Sequence, residues 1–386
     1  MNKAQTPDVS LTEETGTDDR EHSLFDTLLW RDPISGAPLE LIVSARTPAG
    51  VPMSGALRVQ GTQTGYPIID CVVRMTPELA EKYRDWLQMY SLKPPEAREE
   101  QDTFQRTVSV DSFGWQWTWN SEMRTEDDLK MRVLDKFSVD STMFTNRLVI
   151  DAGAGAGDQS RFMISLGAAV VSIDLSSAIE VVARKLRMNR NWVGIQGDIT
   201  SLPFVSDQFD VVYCEGVIHH TQNSVKTVRE LCRVLKPGGN MLAAHYIRQP
   251  VSTVAGKIKR RITRGYYDGL RKRLSQMERF KLLFVTGLIA TLNYVPLVGF
   301  FLRRTGTVLH YDVMPDFKTT WTNTFDYYGN HTYQRFVTPE EFYNYFESVG
   351  GMEPVYQQAG NVVARKLDER IDSNVRHFLD SISGKI

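Results

Sequence analysis

Hydrophobic and polar positions change their spacing along this chain, and the clearest regularity begins at residue 148. From there, short apolar runs alternate with segments in which apolar residues recur at helical spacing. The runs predict strands at 148–151, 170–174, 192–197, 209–214 and 240–246. The segments between them predict helices at 159–166, 178–186 and 225–235. Strands that alternate with helices predict a parallel sheet with helices on both faces.

Capping and turn residues mark the ends of several of these elements. Ser177 and Glu180 have the spacing of a capping box at the start of the second helix. Thr338 with the capping glutamate Glu341 predicts a second capping box at the start of a later helix, and Gly350 predicts the end of that helix. The segments after that helix predict a terminal hairpin with strands at 354–358 and 361–366. With this hairpin, the predicted fold class is an α/β fold with a seven-stranded sheet.

The rest of the chain divides by composition. Residues 1–22 are polar and acidic without an apolar stretch, so they predict a disordered tail, no signal peptide and a cytoplasmic protein. Short β-type runs separated by Gly and Pro predict a small β-rich module at 23–77. Residues 78–147 predict a helical and aromatic linker region. The remaining predicted parts are a catalytic domain at 148–366, a helical insertion in it at about 247–335, and a C-terminal helical tail at 367–386.

Composition narrows the class of protein. Apolar residues make up 42% of the 386 residues, which is enough for a well-buried core. The net charge of −1 argues against a general attraction to nucleic acid. The three cysteines, Cys71, Cys214 and Cys232, stand singly, which excludes a disulfide framework and a four-cysteine zinc site. We therefore expect a reducing compartment and no bound metal.

A glycine-rich loop follows the first of the predicted parallel strands. The sequence VIDAGAGAG ends that strand at Asp151 and continues into Gly153, Gly155 and Gly157, before a helix. Glycines allow a tight turn and a close approach of the backbone to a ligand, and the helix start presents free N–H groups. The third glycine is one position nearer than the dinucleotide motif requires. The pattern indicates a nucleotide-type ligand, and a purely structural turn is the alternative.

Two further aspartates end the next two predicted strands. Asp174 stands where a carboxylate can accept hydrogen bonds from both hydroxyls of a ribose. Its alternative role is to cap a helix, although Ser177 is already placed to do so. Asp198 ends the third strand, where an acceptor can bind the exocyclic amine of adenine.

Five segments together resemble the Rossmann-like class I methyltransferases in order and spacing. They are VIDAGAGAG, VVSIDLS, QGDITSLPF, FDVVYCEGVIHHT and ELCRVLKPGG. The resemblance covers about residues 148–246 and 336–366, and it implies S-adenosylmethionine as the cofactor. Ala154 is a mild departure, since relatives often carry cysteine there. The resemblance further implies a methionine end lined by Asp151, Gly153, Gly155 and Gly157, a ribose contact at Asp174, and an adenine contact at Asp198 with Ile199.

The N-terminal region also carries two likenesses. Its pattern is similar to a small zinc-ribbon-like module that precedes many such methyltransferases. The zinc-binding positions read Asp32-Pro33-Ile34-Ser35 here, so the module would be degenerate and without metal. The FGWQW stretch resembles an element found just before the catalytic domain in a subfamily, where Phe113 and Trp117 would lie near the cofactor. A plain aromatic core is the alternative.

Methyl transfer needs little apparatus beyond positioning, although a base helps when the acceptor is a hydroxyl or an acidic carbon. His220 is the base that we favour, with His219 and Glu215 behind it at the end of the fourth strand. The alternative is that the two histidines are packed structural rings. The residues expected to contact the acceptor are Tyr246, Tyr328 and His331.

The insertion combines charge with an apolar run. Residues 257–281 contain ten Lys or Arg against two acids, and residues 282–302 contain no charge. The run is long enough to span a bilayer, but Gly287, Pro296 and Asn293 interrupt it. The alternatives are a hydrophobic lid over the acceptor, which we favour, peripheral membrane contact, and a true span.

The favoured function is methyl transfer to an oxygen or carbon atom of a small or amphipathic molecule, such as a natural product, a sugar-linked intermediate or an isoprenoid-like lipid. A nucleic acid acceptor is not expected, because no Asn/Asp-Pro-Pro-Tyr sequence follows the fourth strand. The rival functions are a non-catalytic methyltransferase-like binding subunit and an NAD(P)-dependent oxidoreductase. Neither the acceptor nor the oligomeric state follows from the sequence.

Overall fold

The computed structural model describes residues 22–96, 114, 124–248, 253–254, 261, 265, 269–305, 307, 317–329 and 335–368. Several predictions lie outside the described residues: most of the two predicted tails, the side chains of Phe113 and Trp117, and His331.

The strands of the described part form one mixed sheet. In chain order they are β1 Leu39–Arg46, β2 Pro52–Val59, β3 Gly65–Ile69, β4 Val72–Arg74, β5 Leu148–Ala152, β6 Ala169–Asp174, β7 Trp192–Gln196, β8 Phe209–Glu215, β9 Leu235–Ala244, β10 Met352–Gln358 and β11 Asn361–Lys366. Their order across the sheet is β1-β2-β3-β4-β7-β6-β5-β8-β9-β11-β10.

The parallel part of the sheet is β5 to β9, as predicted from the strand and helix alternation. β5 lies at its centre, with Ile150 paired to Val171 of β6 on one side and to Val212 of β8 on the other. The chain therefore leaves β5 in one direction across the sheet and returns to its other side at β8. Such a switch point opens a crevice at the carboxyl ends of the strands, where ligands bind in open α/β sheets.

The sheet has eleven strands where the sequence predicted seven, because β1–β4 continue it. β4 pairs in parallel with β7, with Val72 opposite Gly194 and Val73 opposite Ile195. The predicted module at 23–77 thus extends the main sheet: its strands are antiparallel to one another, and β4 joins β7 in parallel. Its zinc-ribbon-like interpretation is not supported. Asp32, which the resemblance put at a zinc-binding position, accepts hydrogen bonds from the Ser35 N–H at 2.9 Å and the Tyr66 hydroxyl at 2.7 Å.

Helices cover both faces of the sheet. They are α1 Leu24–Thr27, α2 Pro77–Lys82, α3 Arg84–Gln88, α4 Glu126–Val133, α5 Asp158–Ser165, α6 Ile179–Leu186, α7 Ser224–Val234, α8 Arg279–Asn293, α9 Pro296–Thr305, α10 Phe317–Tyr328 and α11 Pro339–Val349. Neighbouring residues of β5 point into different cores: Ile150 packs in the cluster that holds Leu231 and Phe342, and Val149 in the cluster that holds Phe162. This alternation is that of a sheet buried on both faces.

One of the two predicted capping boxes is present. The Glu341 N–H donates to the Thr338 hydroxyl, and the Glu341 carboxylate accepts from the Thr338 N–H, so α11 begins as predicted. The predicted box at Ser177 is wrong, because the residue that caps α6 is Ala178, without a side-chain hydrogen bond. The Glu180 carboxylate instead lies 2.5 Å from the Arg74 guanidinium. Arg74 lies on β4, more than a hundred residues away in the sequence, so the local sequence could not predict this ion pair.

The insertion contributes α8, α9 and α10, which have a small apolar cluster of their own. Leu274, Leu282, Phe325 and Tyr328 are buried together in it. Within the described residues, no single helix is long and apolar enough to cross a membrane. The pair Phe280–Asn293 and Pro296–Arg303 has sufficient length and composition, but it is bent by 115°.

Candidate active site

The glycine loop joins β5 to α5 at the switch point of the sheet. Gly153 has φ +90° and Gly157 has φ +79°, a region that side chains with a Cβ rarely adopt. A Cβ on Gly153 would lie 2.2 Å from Cγ2 of Val217, so a larger residue would also collide with the loop after β8. The loop therefore requires glycine at these positions for two independent reasons, conformation and space.

Asp174, at the end of β6, lies beside this loop, and Asp198 follows the neighbouring strand β7. Asp174 accepts hydrogen bonds from the Gly155 N–H at 2.9 Å and from the Ser176 N–H and hydroxyl at 2.8 and 2.6 Å. These bonds fix its carboxylate against the glycine loop. Asp198 accepts from the Thr200 N–H at 2.8 Å, and the adjacent Ile199 is buried. The structure thus places these aspartates at the carboxyl ends of neighbouring parallel strands.

Asp151 occupies a different position from the other two aspartates. Its side chain is 2% exposed and accepts a hydrogen bond of 2.5 Å from the Ser160 hydroxyl, beneath the glycine loop. The Ser160 hydroxyl also lies 2.7 Å from that of Ser172, which accepts from Nε1 of Trp192. Burial raises the pKa of Asp151 to about 7. A direct contact between this carboxylate and a ligand stays a prediction.

Glu215, at the end of β8, is held by cations rather than free to accept a proton. Its carboxylate forms ion pairs with Lys136 at 2.5 Å and Arg132 at 3.4 Å, and it accepts from the Tyr213 hydroxyl at 2.9 Å. Burial acts to raise its pKa, but the charges of Lys136 and Arg132 outweigh burial and hold the pKa below its usual range. Two cations thus favour the charged form of this carboxylate, and the predicted place of Glu215 behind a catalytic base stays a prediction.

Arg124 is a candidate that the sequence analysis missed. Its Nη1 is buried and has no hydrogen-bond partner among the described residues. Glu215 and Asp158 are among the charges that act on its guanidinium, and burial lowers its pKa. The residue lies in the stretch predicted as a linker, where nothing in the local pattern marks one arginine among several.

The predicted histidines form an aromatic cluster after β8. His219 is fully buried, and its ring stacks on Tyr246 with centroids 3.7 Å apart at 26°. The half-buried His220 lies next to it, with ring centroids 4.3 Å apart. The structure therefore brings together three of the residues predicted for base catalysis and acceptor binding.

Two further rings complete this cluster and were not predicted. His245, at the end of β9, lies 5.2 Å from the His219 ring centroid, and burial lowers its pKa to about 4. Phe336 stacks on Tyr246 at 5.6 Å, where the chain returns from the insertion. The Arg335 N–H donates to the His219 carbonyl at 3.1 Å, which fixes this return. The return segment could not be identified because it lies outside the predicted strands and helices.

Tyr328 lies elsewhere, which corrects its predicted role as an acceptor contact. Its side chain is fully buried in the apolar cluster of the insertion, and its hydroxyl donates to the Thr307 carbonyl at 2.8 Å.

Comparisons with known proteins agree with this geometry. Residues 150–243 match the family model described as a methyltransferase domain. Demethylmenaquinone methyltransferase from Clavibacter sepedonicus is 35% identical over 107 residues, which cover 28% of this chain and 44% of the relative. Malonyl-[acyl-carrier protein] O-methyltransferase from Enterobacter lignolyticus is 36% identical over 91 residues, covering 24% and 36% of the two chains. The chain thus spans less than half the length of these relatives.

A comparison with solved structures finds 1,6-didemethyltoxoflavin-N1-methyltransferase from Burkholderia thailandensis, with bound 1,6-didemethyltoxoflavin and S-adenosylhomocysteine. It is 14% identical, covers 72% of this chain and 95% of its own, and has a TM-score of 0.40. The matched family segment contains the glycine loop, Asp174 and Asp198. Residues 150–243 of this chain are therefore similar to a methyltransferase domain.

Proposed function

We propose that this chain transfers a methyl group from S-adenosylmethionine to an oxygen or carbon atom of a small or amphipathic acceptor. The observation that carries the proposal is the glycine loop held against Asp174, with Asp198 at the end of the next strand. The matched family segment supports the activity. The relatives named for demethylmenaquinone and malonyl-[acyl-carrier protein] support a small-molecule acceptor group.

The residues of the crevice fit the cofactor. Gly153, Gly155 and Gly157 all have positive φ, so the backbone makes a tight turn where the methionine end would bind. Asp174 has the acceptor atoms for ribose hydroxyls, and Asp198 with the buried Ile199 would hold adenine. When bound, S-adenosylmethionine supplies an electrophilic methyl group on a sulfonium.

Arg124 extends this assignment to the carboxylate of the methionine moiety. A buried guanidinium nitrogen without a partner among the described residues costs free energy unless a ligand satisfies it. Glu215 and Asp158 contribute to the field at Arg124 and favour its charged form. We therefore assign Arg124 as the cation that would meet the cofactor carboxylate.

The residues of this chain would then position the acceptor and remove a proton from it. Displacement at the methyl group requires an acceptor atom held in line, which a rigid, water-poor site provides. His220, next to the stacked rings of His219 and Tyr246, would take the proton from the acceptor. His219 and Tyr246 would hold that imidazole and one side of the acceptor. Fully buried, His219 is a positioning residue in this proposal rather than the base.

A transfer assay tests the proposed function. The full chain would be incubated with S-adenosylmethionine labelled in the methyl group and with a panel of demethylated quinones and malonyl thioesters. We expect label to be extracted with at least one acceptor class, and S-adenosylhomocysteine to accumulate in step. Tight S-adenosylhomocysteine binding without transfer to any acceptor tried would instead support the non-catalytic binding subunit.

A further inference from the structure

A row of large apolar side chains on α8 faces solvent. Phe280, Phe284 and Leu288 are 76%, 75% and 51% exposed. Because they are spaced by four residues, they lie on one face of the helix. We call these three residues the apolar row. Leu297, on the neighbouring α9, is also 76% exposed. Contiguous large apolar side chains at this exposure mark interaction surfaces on folded proteins.

The opposite face of α8 is already occupied, so the apolar row cannot turn inward. Leu282 and Ala290 are buried on that face. Nε1 of Trp321, on α10, donates to the Leu283 carbonyl at 3.0 Å. The Trp321 ring also lies so close to Gly287 that a Cβ there would be 3.1 Å from it. The packing of α8 on α10 therefore fixes the row on the outside.

Positive charge surrounds the start of the apolar row. Lys272 and Arg273 are exposed in the segment before α8. Lys281, beside Phe280, is also exposed and lies 3.3 Å from the exposed carboxylate of Glu278. By sequence, residues 257–281 carry ten Lys or Arg and two acids, in a chain of net charge −1. The surface is therefore locally basic, although the whole chain is not. Lysine and arginine next to an apolar face are complementary to an anionic lipid surface.

The shape of the helix pair suits a position in the plane of a membrane surface. α8 has 15 residues, which is about 22 Å at helical rise and shorter than the hydrocarbon core. The 115° bend between α8 and α9 keeps the two helices from forming one continuous rod. A short helix with large apolar side chains on its outer face and basic residues at its start can lie at the interface, with these apolar side chains among the upper acyl chains.

We propose that α8 and α9 dock this protein on the surface of a bilayer that contains anionic lipid. The apolar row enters the interface, and Lys272, Arg273 and Lys281 meet the headgroups. A lid, which the sequence favoured, would bury this row against the catalytic domain, whereas here the row is exposed. The docking does not depend on methyl transfer. Where the proposed function also holds, docking would bring the active site to an acceptor dissolved in the membrane.

Vesicle flotation with the full chain tests this proposal. The vesicles would be phosphatidylcholine alone, or phosphatidylcholine with roughly a quarter phosphatidylglycerol. We expect the chain to float with the anionic vesicles, much less with the neutral ones, and less as salt concentration rises. The combined variant Phe280→Ser, Phe284→Ser, Leu288→Ser should lose at least about tenfold in vesicle affinity. Replacing Lys272 and Arg273 by Gln should weaken binding chiefly at low salt.

The control is a variant with serine at two exposed apolar positions outside the insertion, Leu29→Ser with Val355→Ser. It should float like the wild type, and all variants should show the wild-type melting temperature, which does not depend on enzymatic activity. A wild-type chain that does not float with anionic vesicles would overturn the proposal. So would a variant of the apolar row that floats unchanged. Loss of turnover in that variant without any vesicle binding by the wild type would establish the lid instead.

Discussion

At the scale of single residues, the backbone conformation of Gly153 should affect cofactor binding most directly. We expect Gly153→Ala to weaken S-adenosylhomocysteine binding at least about tenfold, because the new Cβ would meet Val217 and strain the loop. Calorimetry with the purified variant measures this change. The matched control is Gly167→Ala, since Gly167 has φ +92° but open space around its Cβ, 3.7 Å from its nearest neighbour. Equal affinity losses in both variants would mean that general strain, not the crevice, is responsible.

Substitution of His220 tests whether this residue is the catalytic base or a packed structural ring. If it takes the acceptor proton, His220→Ala should lower kcat by about 10²–10⁴ and leave the affinity for S-adenosylhomocysteine near that of the wild type. His220→Gln should behave similarly, since a side-chain amide is not protonated near neutral pH and cannot act as the base. The ring is only half-buried, so the variants should fold. A variant that keeps full activity, or that melts far below the wild type, would assign His220 a structural role.

His245 should make stability depend on pH. Burial lowers its pKa to about 4 in the folded protein, against about 6.5 when unfolded. The unfolded chain therefore binds more protons between these values, so stability is present above pH 6.5 and is lost as the pH falls towards 4. The loss attributable to this residue is roughly 2–3 kcal/mol.

Urea unfolding across this pH window measures the effect. His245→Phe, which keeps an aromatic ring between Phe342 and Tyr345, should reduce the slope of unfolding free energy against pH. An unchanged slope in this variant would show that another buried group, not His245, carries the proton.

The residues that could be predicted are those whose role is local. Gly153 and Gly155 follow a strand and precede a helix, and Asp174 ends a strand, so sequence position alone brings them to one edge. Arg124 was missed because its environment comes from Glu215 and Asp158, which are distant in sequence. Tyr328 was misplaced because an aromatic residue near the end of a segment does not reveal which face of the helix it occupies.

At the scale of elements, the junction between β4 and β7 makes the N-terminal strands part of the catalytic sheet. Arg74 at the end of β4 is nearly buried, and it pairs with Glu180 of α6 and donates to Gln196 of β7. We expect Glu180→Gln to lower the free energy of unfolding by about 1–3 kcal/mol, because it leaves a buried guanidinium without its countercharge. A third of the Glu180 side chain is exposed, so the expected loss is below that of a fully buried pair.

Chemical denaturation measures this loss, and the control is the exposed pair of Glu81 with Arg84. Glu81→Gln should leave stability unchanged within error, because water screens that pair. A Glu180 variant as stable as the Glu81 variant would contradict the account of the junction.

The pairing of β4 with β7 shows why strand existence was easier to predict than strand partners. The β-type runs before Pro77 and the apolar runs after Leu148 were both visible in the sequence. Their register, with Val73 opposite Ile195, depends on the twist and on the exposed edge that β7 presents, which no local pattern encodes. The two predicted capping boxes differ for the same reason. Thr338 bonds to a residue three positions away, so the box at Thr338 could be predicted from the local sequence. Glu180 instead pairs with Arg74 from another strand, which the local sequence does not show.

At the scale of the whole molecule, we propose two functions for parts of the chain that the sheet connects: cofactor binding and docking at a membrane. The switch point between β5 and β8 holds the cofactor crevice, and the chain that leaves β9 forms the insertion with its exposed apolar row. The segment 335–337 returns from the insertion to pack on His219 and Tyr246. The proposed docking surface and the proposed acceptor site are therefore connected through this short segment of chain.

The central claim is that the crevice at β5 binds S-adenosylmethionine, and calorimetric titration with S-adenosylhomocysteine tests it most directly. The full chain would be titrated with S-adenosylhomocysteine and, separately, with NADH. The account predicts one S-adenosylhomocysteine per chain, an affinity reduced about tenfold or more in Asp174→Ala through lost ribose hydrogen bonds, and no heat with NADH. Saturable heat with NADH and none with S-adenosylhomocysteine would contradict the account.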